Sequence, residues 1–131
     1  MEKKLVKTFI SDVTTDIENI PVTQGNGEHH VKLVSDVTDR IVGVTKGKMV
    51  EGKPVDVVMF GETFVNCQNA VDGSMPLVAN QYGYAVQMDL QSDELQAVPT
   101  DSVFYTIGYP IDIAGESALL TCVVDPQVIL K

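Results

Sequence analysis

Pro54-Val55-Asp56-Val57-Val58-Met59-Phe60-Gly61-Glu62-Thr63-Phe64-Val65-Asn66 is the stretch whose reading decides the fold class. Its β-branched and aromatic residues favour extended backbone, and the period of two places Val55, Val57 and Met59 on one face of a strand. Asp56, Val58 and Phe60 fall on the other. That second face is still partly apolar, so cover is expected on both sides. Gly61-Glu62 offers a residue that tolerates positive φ, which predicts a hairpin joining strands over 54–60 and 63–66.

On either side of this stretch the chain continues in the same style. Short β-branched runs over 31–34, 41–45, 75–79, 84–88, 103–108, 118–124 and 127–130 are separated by Gly, Pro, Asp and Asn, the punctuation of strands and turns. Asp72-Gly73 reads as a second hairpin turn. Pro54 and Pro76 stand near the openings of their runs, where a missing N–H matters least. About nine short strands predict a mainly β fold, a small barrel or sandwich. A weak internal echo is visible: Val42-Gly43-Val44 leads to Gly52-Lys53-Pro54, and Ile107-Gly108-Tyr109 leads to Gly115-Glu116-Ser117. It hints at two similar β-loop-β units.

The N-terminal region reads differently. Val6, Ile10, Val13, Ile17 and Ile20 recur at helical spacing, but their β-branched side chains lower helix propensity, and the pattern does not decide between the two. After Pro21, the sequence Gln24-Gly25-Asn26-Gly27 is a flexible break. Residues 1–24 are therefore expected to form an arm and residues 25–131 a β domain.

With 131 residues the chain fits one domain with an ordinary core. Apolar runs such as Val57-Val58-Met59-Phe60 are far too short for a bilayer, so no membrane partner is expected. Met1-Glu2-Lys3-Lys4 is followed by Leu5-Val6 and then Lys7, which breaks any signal-peptide core. A net charge of −9 repels phosphate backbones, which argues against nucleic acid. Cys67 and Cys122 lack zinc-type spacing and read as reduced strand residues, in keeping with folding in a reducing cytoplasm.

No constellation predicts catalysis or a cofactor. His29 and His30 are adjacent, so in extended chain they point to opposite faces and cannot easily share a metal. Asp36 and Asp39 lack the ligand run of a calcium loop, and Asp12, Asp16 and Glu18 have no evident partner. Ser74 and Ser117 are not in a nucleophile elbow, and the glycines form no phosphate-binding loop. What remains is surface for contact with protein. Leu5, Val6, Phe9, Ile10 and Val13 on the arm are candidates, with Tyr82, Tyr84, Tyr105 and Tyr109 on the β domain. Lys3, Lys4 and Lys7 put a positive cluster at the arm tip that would steer it toward an acidic groove.

The succession Ile41-Val42-Gly43-Val44, Glu51-Gly52-Lys53-Pro54-Val55-Asp56-Val57, Phe60-Gly61, Val71-Asp72-Gly73-Ser74-Met75-Pro76-Leu77-Val78, Gly83-Tyr84-Ala85-Val86 and Ile107-Gly108 resembles the capsid cement, or decoration, proteins of tailed bacteriophages. The resemblance lies in order and spacing. It departs at Glu51, at Pro110-Ile111-Asp112-Ile113 and in the polar segment 91–100. It implies a β-barrel-like domain that forms a homotrimer on the outer surface of an icosahedral head, binds the major capsid protein and performs no catalysis. The protein would be made in the host cytoplasm and end in the virion. The alternative readings are the capsid-anchoring base of a head fibre or a tail component, and a small β-barrel enzyme.

Overall fold

The computed structural model describes residues 4–131. Among them are the strands β1 (Leu5–Ser11), β2 (Pro21–Gln24), β3 (His30–Leu33), β4 (Gly43–Thr45), β5 (Pro54–Cys67), β6 (Leu77–Ala79) and β7 (Ala85–Gln87). A one-turn helix, α1 (Asp93–Gln96), is followed by β8 (Val103–Pro110) and β9 (Ala118–Leu130). The chain is thus almost entirely β, as its punctuation predicts.

The two strands expected over 54–60 and 63–66 are one strand of 14 residues. Gly61 does take a positive φ, 109°, but it kinks a strand that runs on. At that point β5 changes partner, from β1 (Leu5↔Phe60) to β9 (Gly61↔Val124). The alternation survives the kink: Val55, Val57, Thr63, Val65 and Cys67 are buried, and Asp56, Phe60 and Phe64 are exposed. Val58 is buried as well, packed with Val44 in the larger core, so the strand is covered on both faces there. Asp72-Gly73 is a bend rather than a hairpin, since β5 and β6 on either side of it are not neighbours in the sheet.

The pairings close two rings that share β5. The first runs β1-β3-β2-β4-β5 and returns through β1–β5, making a closed five-stranded barrel; the second runs β5-β7-β6-β8-β9 and returns through β5–β9. These are the same order. Adding four to each strand number of the first ring gives the second, and the directions agree throughout. β1–β3 and β5–β7 are parallel, and every other contact in both rings is antiparallel. The last strand of the first unit is the first strand of the second.

The glycines of the sequence echo occupy equivalent places in this repeat. A Cβ on Gly43 of β4 would collide with the Val58 carbonyl of β5, and a Cβ on Gly108 of β8 would collide with the Val123 carbonyl of β9. Each glycine lets a short strand close against the long one.

Each ring has its own filling. Ile20, Val22, Val31, Met49, Val55 and Val57 form the core of the first. A larger cluster around Val58, Val65, Leu77, Ile107 and Val124 fills the second and the junction. A third, small cluster sits beneath α1, where Leu95 meets Val37, Val78, Val98 and Phe104.

The expected arm is not separate from the β domain. Residues of β1 pair with β5 from Leu5 to Ile10 and with β3 at Ile10 and Ser11, while Pro21, Val22 and Thr23 of β2 are buried. The boundary expected at residue 24 falls inside the β2–β3 hairpin. Helical spacing misleads here because Val13, Ile17 and Ile20 lie in irregular chain whose side chains reach the first core; the β-branched population decides instead. Lys3 lies outside the described residues. The strand count agrees with expectation by compensation: β1 and β2 were not expected, while 54–66 and 118–130 each merge two expected strands into one.

Candidate interaction surface

Closed rings offer few free backbone edges, so any partner must be met largely by side chains. The outward face of β5–β9–β8 carries the richest set. Along β9, Leu119, Thr121 and Val123 alternate with buried Leu120, Cys122 and Val124. Their neighbours on β5 are Asn66, Phe64 and Glu62, and on the other side Tyr109 pairs with Val123. Ile111 continues this edge, its N–H donating to the Thr121 carbonyl at 2.9 Å. Phe64, Leu119, Tyr109 and Ile111 are each 51–56% exposed. Exposed apolar side chains grouped on one face of a folded domain make that face a candidate contact site, whereas singly scattered ones need no explanation.

The residues singled out in the sequence divide. Tyr109 belongs to this face. Tyr82 is exposed at the β6–β7 turn, where its N–H donates to Asn80 Oδ1 at 2.9 Å. Tyr84 is half-buried in the same turn, and Tyr105 packs against the larger core. Leu5 and Val6 are exposed at the start of β1, with Leu5 opposite exposed Phe60. Phe9 and Val13 pack against the first core, and Ile10 is half-buried between Pro54 and His30. Lys7 Nζ lies 5.9 Å from the Phe9 ring centre. Sequence reasoning missed Phe64, Leu119 and Ile111. Phe64 was findable, since it stands out of phase with Thr63 and Val65, whereas Ala118-Leu119-Leu120 has no alternation to read.

An open groove of about 1030 Å³ lies between the β6–β7 hairpin and α1. Val78, Val86 and Leu95 line it together with Asp89, Asp93 and Glu94, but no histidine, cysteine or basic residue does. Ser92 caps α1 by accepting the Leu95 N–H, and Lys131 Nζ ties the end of β9 to α1 by donating to the carbonyls of Leu95 and Val98, both at 2.6 Å.

Both cysteines are free and buried. Burial pushes the Cys67 thiol up to about 11 and the Cys122 thiol to about 12, the latter also raised by Cys67. Thiols held protonated in this way are poor nucleophiles. No group of three metal-ligating side chains occurs among the described residues, nor is any helix there long and apolar enough to cross a membrane.

This architecture has a counterpart among solved structures. The fold is similar to that of a phage head-fibre base. The chain superposes on the N base of head fiber gp8.5 of bacteriophage phi29 with a TM-score of 0.60 and 15% identity, covering 94% of this chain and 95% of that one. No family model matches the sequence, and no curated protein matches it either.

Proposed function

We infer that this chain is a non-catalytic structural protein of a phage head, held on the outer surface of the capsid by contact with the major capsid protein. The observation that carries the reading is the likeness of fold to a head-fibre base over nearly the whole of both chains. The exposed apolar face of β5–β9–β8 supplies the means, because large aromatic and aliphatic side chains on a rigid sheet bury area at little entropic cost. Leu5, Val6 and Tyr82 add further exposed contacts. Homotrimerisation belongs to the reading, since three linked copies raise one another's effective concentration on the capsid.

Within this reading the chain acts as a cement protein that stabilises contacts between capsid subunits. A second reading, the anchoring base of a head fibre, draws on the structural neighbour being the N base of a head fiber. Co-sedimentation with purified heads that lack the protein tests the shared claim: the protein pellets with heads, and failure to pellet refutes it. Thermal rupture of the decorated heads separates the two roles, because cement raises the rupture temperature and a fibre base leaves it unchanged.

A further inference from the structure

The Gln24-Gly25-Asn26-Gly27 break and the adjacent His29-His30 pair play no part in the apolar face, yet Asn26 and His30 meet Asp12 in an ordered constellation. Asp12 Oδ1 lies 2.6 Å from His30 Nδ1, and Asp12 Oδ2 accepts the Asn26 N–H at 2.6 Å. Those two contacts, the Asn26 N–H first, hold the Asp12 carboxyl below its ordinary value. An ionised Asp12 requires the neutral His30 ring to carry its hydrogen on Nδ1, which leaves the Nε2 lone pair open. The same ring lies over Gly27: a Cβ there would stand 3.1 Å from Cδ2 and 3.4 Å from Nε2. The turn's backbone hydrogen bonds run from the His30 N–H to the Gly27 carbonyl and from the Gly25 N–H to the His30 carbonyl. They leave the Gly27 N–H unused.

We propose that Asn26-Gly27 is a self-modification site, at which Asn26 is converted through a succinimide to an aspartyl or isoaspartyl residue, with His30 as base and Asp12 as positioning residue. The Gly27 nitrogen attacks Asn26 Cγ as its proton passes to His30 Nε2. The bond from Cγ to the side-chain nitrogen breaks, and that nitrogen leaves as ammonia with the proton returned by His30. Solvent water then opens the ring at either carbonyl. The net change is amide plus water to carboxylic acid plus ammonia, with no oxidation or reduction. Glycine after the asparagine leaves the attacking nitrogen unobstructed, and this is the one Asn-Gly pair in the sequence.

The second unit supplies an internal control. Gln68 follows β5 as Asp12 follows β1, their N–H groups donating at 2.9 Å to the Ala85 and Val31 carbonyls respectively. Gln68 Oε1 likewise reaches the β6–β7 turn, where it accepts Asn80 Nδ2 at 2.7 Å. Asn80 has its amide engaged, is followed by Gln81 and faces no imidazole, so it stays unmodified. Conversion at Asn26 adds a carboxylate beside Asp12, and the isoaspartyl product adds a methylene to the turn, so it loosens the clasp between β1 and the β2–β3 hairpin.

The test is peptide mapping by mass spectrometry after incubation of the intact protein near neutral pH, with an isoaspartyl-specific methyltransferase label as second readout. Native protein converts Asn26 at least about a hundredfold faster than the same protein unfolded in urea, the modest end of what a positioned base contributes. His30→Gln lowers the native rate toward the unfolded one. Asp12→Asn lowers it too, Asp12→Glu restores part of it, and Asn26→Gln shows none. A native rate at or below that of the unfolded wild-type chain overturns the proposal, as does an undiminished rate in folded His30→Gln. The native-to-unfolded comparison stands even if His30→Gln does not fold.

Discussion

Gly43 and Gly108 occupy the same position in two copies of one five-stranded unit, each beneath a carbonyl of the long strand that closes its ring. The close approach of β4 to β5 and of β8 to β9 depends on this relationship, because a side chain at either place would hold the short strand away from the long one.

Gly43→Ala and Gly108→Ala should therefore each destabilise by roughly 2 kcal/mol or more, since overpacking against backbone cannot be relieved by a rotamer change. Gly47→Ala is the control: a Cβ there meets nothing within 4 Å, and its effect should stay within about 0.5 kcal/mol. Urea unfolding midpoints decide, and equal midpoints for Gly47→Ala and Gly43→Ala would contradict the close-approach argument.

Because β5 belongs to both rings, they should unfold together. Val57→Ala in the first ring and Val65→Ala in the second, both fully buried, should each cost roughly 2 to 3 kcal/mol from lost burial plus the cavity. Each should weaken hydrogen-exchange protection across β2 and β9 alike. Protection lost in one ring alone would show that the units are independent.

Asp12 and Asp72 have their carboxyls held below the ordinary 3.8, Asp12 by the Asn26 N–H and His30, Asp72 by the Ser74 hydroxyl and N–H. A lowered folded value means that the unfolded chain binds protons first as the pH falls. Their stabilisation is thus complete above the ordinary carboxylate range and fades as the pH drops through it toward the depressed folded values. Asp12→Asn should flatten that part of an acid-unfolding curve. An unchanged curve would mean that the Asp12 contacts contribute nothing to stability.

The buried thiols should resist alkylation by iodoacetamide in native protein at neutral pH and react once the chain is unfolded. Rapid native labelling of Cys67 or Cys122 would show that the second ring opens readily.

Phe64→Ser and Leu119→Ser remove exposed side chains, so unfolding free energy should shift by no more than about 0.5 kcal/mol. Affinity for heads should fall at least about tenfold, close to 1.4 kcal/mol. Undiminished binding by the double variant would place the contact elsewhere, with Leu5, Val6 and Tyr82 the next to test.

The sequence by itself determined that the chain is β, through runs such as Val55-Asp56-Val57 whose alternation is a local property of extended backbone. It also carried the trace of duplication, since Gly43 and Gly108 each stand between apolar neighbours. Only the tertiary structure decided which strands pair. Gly61 is compatible with a turn or a kink, and the choice depends on β1 and β9 being present as successive partners. Residues 4–24 follow the same rule, for a stretch with both helical spacing and β-branched content takes its conformation from the strands it meets, β5 for Leu5 to Ile10 and β3 and β4 for 21–24. The apolar face was hidden for a related reason. Exposure of Phe64 and Leu119 belongs to the closure of the rings, which no short window of sequence contains.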